Sequence, residues 1–326
     1  MTHTERHRRT ERPRTGQPRP DSPKRSGSGG PGPRGTARRT RRRLRREIPS
    51  TVGLLADEQD FTAMRRYRTF TFDDHAAYLR QIDGLLTSLA SRGVHTTVGL
   101  FDPEEFAEYC AERGLDPDSV AARNRFTATI PASGAALAHT GQPVDRLVPL
   151  LISTAVRRAT WEYATAVLGD LGECAECGQD IGGAAFDRAS HILLRLLDAA
   201  GPGAHHLVCS VPAAGEQLLA VLHTDRPEGA PALLGSSEGA EFVSVLALGI
   251  ALESPGGIVL RTTGPDLPDR LHGWRLDRGE PVPLTEAEVF NAYCTDADTG
   301  EPLSPESGVE YRAGFALHLD DTGTHH

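Results

Sequence analysis

The sequence is poor in lysine and has no long apolar run. Lys24 is the single lysine beside 34 arginines, and the longest nearly apolar stretch, residues 242–252, is too short to span a bilayer. Five cysteines in 326 residues are too few for a disulfide scaffold. No apolar run follows the amino-terminal arginines, so neither a secretory nor a twin-arginine signal is indicated. Together these absences favour a cytosolic protein without a membrane partner.

Charge is distributed unevenly along the chain, whose formal net charge is −9. Residues 1–47 contain 15 arginines and Lys24 against four acidic residues, a net of +12, and the remaining 279 residues carry a net of −21. A body this acidic repels polyphosphate chains. A nucleic-acid partner would therefore have to bind the amino-terminal segment.

That segment, the arginine-rich tail (residues 1–47), consists mostly of Arg, Pro, Gly, Ser and Thr. It cannot bury enough apolar surface to offset its ordering entropy, so we expect it to be disordered. Its densest basic run, residues 38–46, indicates an arm that binds RNA, DNA or an acidic partner. Two alternatives stay open: a solvated tail that folds back on the acidic body, and a stretch that lies before the true translation start.

From residue 48 onward, strand and helix patterns alternate. Apolar strand patterns at residues 51–56 and 95–101, and an alternating pattern at residues 68–72, are each followed by an acidic helix start. A long, mostly apolar helix pattern over residues 143–168 indicates a central core helix or part of a dimer interface. The sequence therefore predicts an α/β to α+β fold with mixed, partly parallel sheets and packed helices.

The remaining elements and the domain limits follow from the same patterns. The predicted strands are residues 126–130, 207–211, 218–222, 258–261 and 311–319, and the predicted helices are residues 184–200, 240–252 and 286–293. The predicted organisation is a disordered tail (1–47), an α/β domain (48–172) and an α+β domain that begins with a zinc knuckle (173–326).

The most informative motif is a CxxC pair, Cys174 and Cys177, closed by a glycine. Further along the chain, His206 and Cys209 have the same spacing and predict the other half of a tetrahedral zinc site, with His205 as the alternative to His206. A closed four-ligand site of this kind is structural, so Zn²⁺ is the predicted cofactor. The alternatives are unligated thiols and a redox CxxC, which ordinarily has a strand before it and a helix starting within it.

A second motif, residues 235–239, matches the G-x-S-x-G pattern of a nucleophile elbow, with Ser237 as the candidate serine. Asp296 or Asp298 and then His318 follow in the order of a hydrolase triad. No HGGG-like oxyanion segment precedes the motif. A serine that caps the following helix explains the same residues, and we expect the cap.

Acidic residues stand where predicted strands end and helices begin: Asp57, Asp73, Asp74 and Asp102. If the strands are parallel neighbours, these carboxylates meet at one edge of the sheet and could hold Mg²⁺ for phosphoryl chemistry. The alternative, which we expect, is that each caps its helix. His75 and His95 lie close to these acids in sequence and are interpreted as surface or core histidines.

These residues favour a non-enzymatic, zinc-stabilised cytosolic interaction or regulatory protein that contacts nucleic acid or an acidic partner through its tail. Self-association is a further possibility. The alternative function is a hydrolase, either a metal-dependent phosphoesterase at the acidic strand ends or a serine hydrolase at Ser237.

Overall fold

The fold is that of a computed structural model, which describes residues 50–213, 215–229, 237–264, 268–296 and 299–317, the side chain of Ser133 excepted. Internal contacts divide the chain after Glu47 into residues 1–47 and residues 48–326. The predicted tail lies outside the described residues. Within the described ranges, no helix is both long and apolar enough to cross a membrane.

A three-stranded sheet, in the order β1-β2-β3, organises the first part of the chain. β1 (Ser50–Leu54) and β2 (Thr96–Leu100) are parallel, with Val52 opposite Val98, and β3 (Ala136–Ala138) is antiparallel to β2. The helices that accompany it are α1 (Glu58–Met64), α2 (His75–Ser91), α3 (Pro103–Arg113), α4 (Val120–Thr127) and α5 (Ile130–Ser133). Strand–helix alternation was predicted here, whereas the short β3 was not.

Buried aromatic rings fill the first core, because each of these elements contributes one or two apolar residues at its inward-facing positions. Phe106 is fully buried and its ring lies 5.3 Å from that of Phe101 and 5.6 Å from that of Phe126. Such edge-to-face and tilted ring pairs add stabilisation beyond the area they bury. The helices are therefore held around the small sheet mainly by aromatic packing.

The predicted strand at residues 68–72 is wrong, because this segment forms turns and bends between α1 and α2. Its alternating aromatic residues do not face a sheet. The rings of Phe70 and Phe72 instead pack on Tyr78 of α2, with centroid distances of 6.0 Å and 5.0 Å. The segment is also tied to a distant loop, since the Arg68 backbone N–H donates to Asp118 at 2.6 Å. A local aromatic cluster thus produced the strand-like pattern.

The predicted strand at residues 126–130 is also wrong. Phe126 lies near the end of α4 and Ile130 begins α5. Both side chains are buried, and their separation of four residues is the spacing of one helix face. The β-branched and aromatic composition of this run favoured a strand, and tertiary packing overrode that preference.

The longest described helix, α6 (Val144–Asp170), has 27 residues and contributes to two separate hydrophobic cores. Leu147 and Leu151 are fully buried in the first core, and Ala164 and Leu168 are buried in the second. The prediction of a long apolar helix here is confirmed in its position. The domain boundary that was expected after residue 172 lies two residues beyond Asp170, the last residue of this shared helix, and it stays a prediction.

The second core lies on one face of a six-stranded sheet with the order β5-β4-β6-β7-β8, in which β9 pairs with β7. The strands are antiparallel to their neighbours except β9, which is parallel to β7. They are β4 (Gly203–Ala213), β5 (Glu216–Arg226), β6 (Gly256–Thr263), β7 (Asp269–Asp277), β8 (Glu280–Pro283) and β9 (Val309–Arg312).

Three further helices accompany this sheet: α7 (Ile181–Ala200), α8 (Ser237–Ala251) and α9 (Glu286–Tyr293). α7 and α8 share the second core with inward-facing residues of β4, such as Leu207 and Val211. α7 crosses α6 closely because Gly182 has no side chain; a Cβ there would lie 2.3 Å from the carbonyl oxygen of Leu168. The mixed α/β fold, with parallel and antiparallel strands and packed helices, confirms the predicted fold class.

Candidate functional site

The CxxC turn (residues 174–178) connects α6 to α7 as a small hairpin. Glu173 and Asp180 form an antiparallel bridge at its base, and the Cys174 N–H donates to the carbonyl of Gln179 at 2.8 Å. The Gly178 N–H donates back to the carbonyl of Cys174 at 2.8 Å, and Gly178 has a φ of +72°, which glycine adopts without strain. The sequence therefore closes a tight turn that holds its two cysteines at one point of the surface.

Hydrogen bonds inside the CxxC turn favour a thiolate. The backbone N–H groups of Cys177 and Glu176 both donate to the Cys174 sulfur, and so does the Cys177 thiol; together they lower the pKa of Cys174 below its ordinary value. Cys177 is exposed and Cys174 is half-buried. The turn is thus an accessible pair of adjacent sulfur ligands, and such N–H donors also stabilise thiolates bound to a metal.

The two other predicted ligands lie on opposite faces of β4. Cys209 faces the second core, where it is completely buried, and burial raises the pKa of its thiol to about 12. His206 is exposed on the other face, where its ring stacks on that of His223 of β5 at a centroid distance of 4.6 Å. Successive strand residues alternate between faces, so positions three apart cannot converge on one ion. His206 and Cys209 therefore do not form half of a shared site.

The alternative ligand, His205, is a structural histidine. It is 2 % exposed, and both ring nitrogens have partners: Nε2 lies 3.0 Å from the carbonyl oxygen of Gly201 and Nδ1 lies 3.1 Å from Oγ1 of Thr262. Burial is the main cause that lowers its pKa, so the ring stays neutral. Its hydrogen bonds join the start of β4 to β6.

The structure brings Cys174 and Cys177 together and does not bring His206, His205 or Cys209 to them. In the described part of the chain, no three His, Cys, Asp or Glu side chains are grouped so that they could hold a metal ion. The four predicted ligands therefore do not fit one closed tetrahedral site within one chain. Zinc binding itself stays a prediction, and the ligands that fit it are the two cysteines of the CxxC turn.

Three of the four acids act as helix caps, as expected, whereas Asp73 is exposed and lies one residue before the Asp74 cap. Asp57 accepts the N–H of Asp60 at 2.8 Å and begins α1, and Asp74 accepts the N–H of Ala77 at 2.6 Å and begins α2. Asp102 begins α3 and accepts the N–H groups of Glu104 and Glu105 at 2.7 Å and 3.0 Å. Each carboxylate satisfies N–H groups that have no partner within their own helix.

Asp60, which was not singled out from the sequence, lies close to these caps and has a raised pKa. Partial burial is the largest cause that raises its pKa to about 6, and the charges of Asp57, Asp102 and Glu104 add to it. The carboxyl ends of the parallel strands β1 and β2 do therefore bring acidic residues into one another's field. The signal that could have found Asp60 is its place in the first turn of α1, three residues after the Asp57 cap.

The histidines near these acids take part in packing or lie at the surface. His75 begins α2, its Nε2 lies 3.0 Å from the carbonyl oxygen of Leu55, and its ring lies 5.4 Å from that of Phe61. His95 is exposed, and its backbone carbonyl accepts the N–H of Ser50 at 2.9 Å. Neither histidine is aligned on a cap carboxylate, which agrees with the interpretation made from sequence.

The serine motif is described only in part. Ser237 is the first residue of α8, whereas residues 235 and 236, Asp298 and His318 lie outside the described residues. Asp296 accepts the N–H and the hydroxyl of Thr299 at 2.8 Å and 3.0 Å in a local turn. Both the predicted cap and the predicted triad therefore stay predictions.

The start of α8 is joined to α6 by a partly buried ion-pair network. Arg157 donates Nε and Nη2 to the two carboxylate oxygens of Glu241 at 2.8 Å and 3.0 Å, and its Nη1 lies 3.3 Å from Glu238. Glu238 also accepts the backbone N–H of His223 at 2.9 Å. Two-point contacts between an arginine and a carboxylate fix orientation as well as distance. The network therefore locks α6 onto α8 and onto the edge strand β5.

An exposed apolar stripe runs along α6 (Ile152, Val156, Ala159, Tyr163 and Ala166). Its members follow one another at spacings of four and three residues, which places them on one side of a helix. Val156 is 60 % exposed, Ile152 42 % and Tyr163 39 %. The stripe faces away from both cores, and it agrees with the dimer-interface alternative for this helix.

Similarity to known proteins covers only part of the chain. A family model described as a domain of unknown function (DUF8829) matches residues 39–142, the part that contains β1, β2 and β3 and ends before α6. No curated protein and no solved structure is detectably similar to the chain. The family description names no activity, so the site geometry is the basis for assigning a function.

Proposed function

We propose that this protein is a non-enzymatic cytosolic interaction or regulatory protein that contacts nucleic acid through its arginine-rich tail and binds zinc at Cys174 and Cys177. The observation that carries the proposal is the separation of charge, with +12 in residues 1–47 and −21 in the rest. Nucleic-acid affinity depends mainly on cations that replace condensed counterions at the phosphates. The tail supplies such cations and the body repels phosphate.

Internal ion pairs in the body support this division of roles. Several body arginines are paired with carboxylates of the same body, for example Arg157 with Glu241, Arg226 with Asp198, Arg261 with Asp269, and Arg312 with Glu310. An arginine already engaged by a carboxylate is a weak phosphate ligand, because the pair must first be broken. Polyanion binding is therefore assigned to the tail.

The caps favour a role without catalysis. A carboxylate that accepts helix N–H groups through one oxygen is held in place by them, which limits its rotation toward a shared Mg²⁺ ion. Asp57, Asp74 and Asp102 each have this cap geometry.

The test compares the full chain with a chain that lacks residues 1–46, using the fluorescence anisotropy of labelled DNA and RNA duplexes. A full-length variant with the 15 arginines and Lys24 of residues 1–47 changed to glutamine is the matched control, because it keeps the tail length and removes its positive charge. We expect deletion and charge removal each to abolish binding while the thermal midpoint stays nearly unchanged. Binding that survives both changes, or a phosphatase or nuclease activity that Asp57→Ala removes, would overturn the proposal in favour of the hydrolase alternative.

A further inference from the structure

The CxxC turn is half of a metal site. Its two cysteines lie three residues apart in a tight turn closed by the hydrogen bond from the Gly178 N–H to the Cys174 carbonyl, and the turn lies at the surface. A structural zinc ion takes four ligands in a tetrahedron, with metal–sulfur distances of about 2.3 Å. The turn therefore supplies two of the four positions and leaves two to be filled.

The chain does not fill those two positions from its own described residues, which contain no grouping of three or more metal-ligating side chains. Its other cysteines are buried, Cys209 in the second core, Cys110 in the first, and Cys294 where β9 and α9 meet. Both ring nitrogens of His205 are hydrogen bonded. A second copy of the chain can supply two further cysteines of the same kind.

We infer that two copies of this chain share one zinc ion, with Cys174 and Cys177 of each copy as its four ligands. A two-fold axis through the ion makes the two half-sites equivalent, and this is the commonest symmetry of homo-oligomers. Each thiol that binds releases its proton to solvent, so the site carries four thiolates and one Zn²⁺. The inference rests on the proposed zinc binding at Cys174 and Cys177 and does not rest on the tail; a chain that binds no zinc would contradict both, whereas one zinc per chain would contradict only the shared site.

The negative charge around the CxxC turn makes the association of two copies depend on the metal. Exposed carboxylates surround the two cysteines on both sides: Asp170, Glu173, Glu176 and Asp180. Two such turns brought together without a cation would repel each other, because like charges at close range are unfavourable even in water. Zinc changes the sign of the interaction by binding the thiolates of both turns. The association is therefore expected to be zinc-dependent.

The apolar stripe on α6 points to the same partner. It lies on the helix that leads into the CxxC turn, and its alternating three- and four-residue spacing is the pattern by which two helices pack side by side. Three large apolar side chains on it are about half exposed. Contiguous exposed apolar surface is a feature of interaction sites. A second copy presents the same stripe on the helix that leads into the same metal ligands.

The experiment adds Zn²⁺ to the chelator-treated full chain and measures mass in solution and bound metal together. We expect a monomer without metal, and a dimer with one zinc per two chains after titration. The Co²⁺-substituted protein should show the intense charge-transfer and d–d absorption of a four-thiolate site. Cys177→Ser should abolish both the bound metal and the dimer while the circular dichroism spectrum stays that of the folded protein.

The Cys209→Ala variant distinguishes a zinc site shared by two chains from a zinc site formed within one chain. Because Cys209 lies in the core and is not a ligand here, its alanine variant should still dimerise and hold one zinc per two chains. One zinc per chain in a monomer, zinc lost in Cys209→Ala, or a dimer that persists in chelator and in Cys177→Ser would each overturn the inference. Loss of nucleic-acid binding on tail deletion is measured separately, so the two proposals can fail independently.

Discussion

Changing Asp60 to Asn should make the folded protein less sensitive to pH. Partial burial and the neighbouring Asp57, Asp102 and Glu104 carboxylates raise the pKa of the Asp60 carboxyl to about 6, whereas its pKa in the unfolded chain is the ordinary value of 3.8. Between pH 3.8 and 6 the unfolded chain loses this proton while the folded protein keeps it. Stability due to Asp60 is therefore fully present below pH 3.8 and is lost as pH rises through 6.

The magnitude follows from the difference between the two pKa values. Transmitted in full, it would correspond to roughly 3 kcal/mol. Asp60 is only partly buried, and solvent screening reduces the expected effect to about 1 kcal/mol. A carboxylate in the first turn of a helix also gains about 0.3–1 kcal/mol from the helix dipole, and asparagine loses this gain at every pH where Asp60 is ionised. The net difference in stability between Asp60→Asn and the wild type at neutral pH is therefore small. The informative quantity is how this difference changes with pH.

The assay is urea unfolding of the wild type and of Asp60→Asn at several pH values between 4 and 7.5. We expect the stability of the variant relative to the wild type to increase by about 1 kcal/mol across this range, and to increase less in high salt. Effects of titrating groups that do not interact with Asp60 cancel in the comparison. A stability difference that stays constant with pH, or that changes in the opposite direction, would refute the electrostatic reasoning.

Two further predictions concern packing and ion pairing, and both are checked by urea unfolding. Arg157→Met should cost about 1–3 kcal/mol because it leaves two partly buried carboxylates without their partner. Arg158→Met removes an exposed pair with Glu162 within α6 and one hydrogen bond to the carbonyl of Gly134, and should cost about 1 kcal/mol or less. Equal costs would contradict the network. Gly99→Ala should lower the free energy of unfolding by about 1–3 kcal/mol, because the new Cβ would lie 2.3 Å from Cγ2 of Ile130. Gly84→Ala is the control, since its Cβ would have no atom within 4 Å, and it should stabilise α2 by about 0.5–1 kcal/mol. Similar effects at both glycines would show that the approach of Ile130 to β2 is wrong.

Most of the long helices could be predicted because they have clear periodicity. The nine-residue strand β7 was not singled out, and the strand predicted at residues 311–319 is wrong for residues 313–317, which are irregular after β9 ends at Arg312. The helix predicted at residues 286–293 coincides with α9, and the one at residues 143–168 differs from α6 by a few residues at its ends. Short or edge elements such as β3, with three residues, have too little sequence to show a period. The false strand at residues 68–72 arose because rings that pack on Tyr78 happen to alternate.

The candidate site could be predicted only where its geometry is local. The CxxC pair and the cap aspartates depend on residues a few positions apart, and the structure has the turn and the caps that their spacing indicated. The link from Cys174 to Cys209 required a long-range arrangement that sequence spacing does not encode. The alternation of side chains along a strand was a usable signal. Because His206 and Cys209 are three residues apart on one strand, they must face opposite sides of the sheet.

The most direct test of the central claim is the salt dependence of duplex DNA binding by the full chain and by the chain that begins at residue 47. If the tail neutralises six or more phosphates, affinity should fall by roughly 10³-fold or more between 50 and 200 mM salt. The shortened chain, whose net charge is strongly negative, should show no binding at either salt concentration. Equal affinities for the two chains, or binding by the full chain that does not change with salt, would contradict the account.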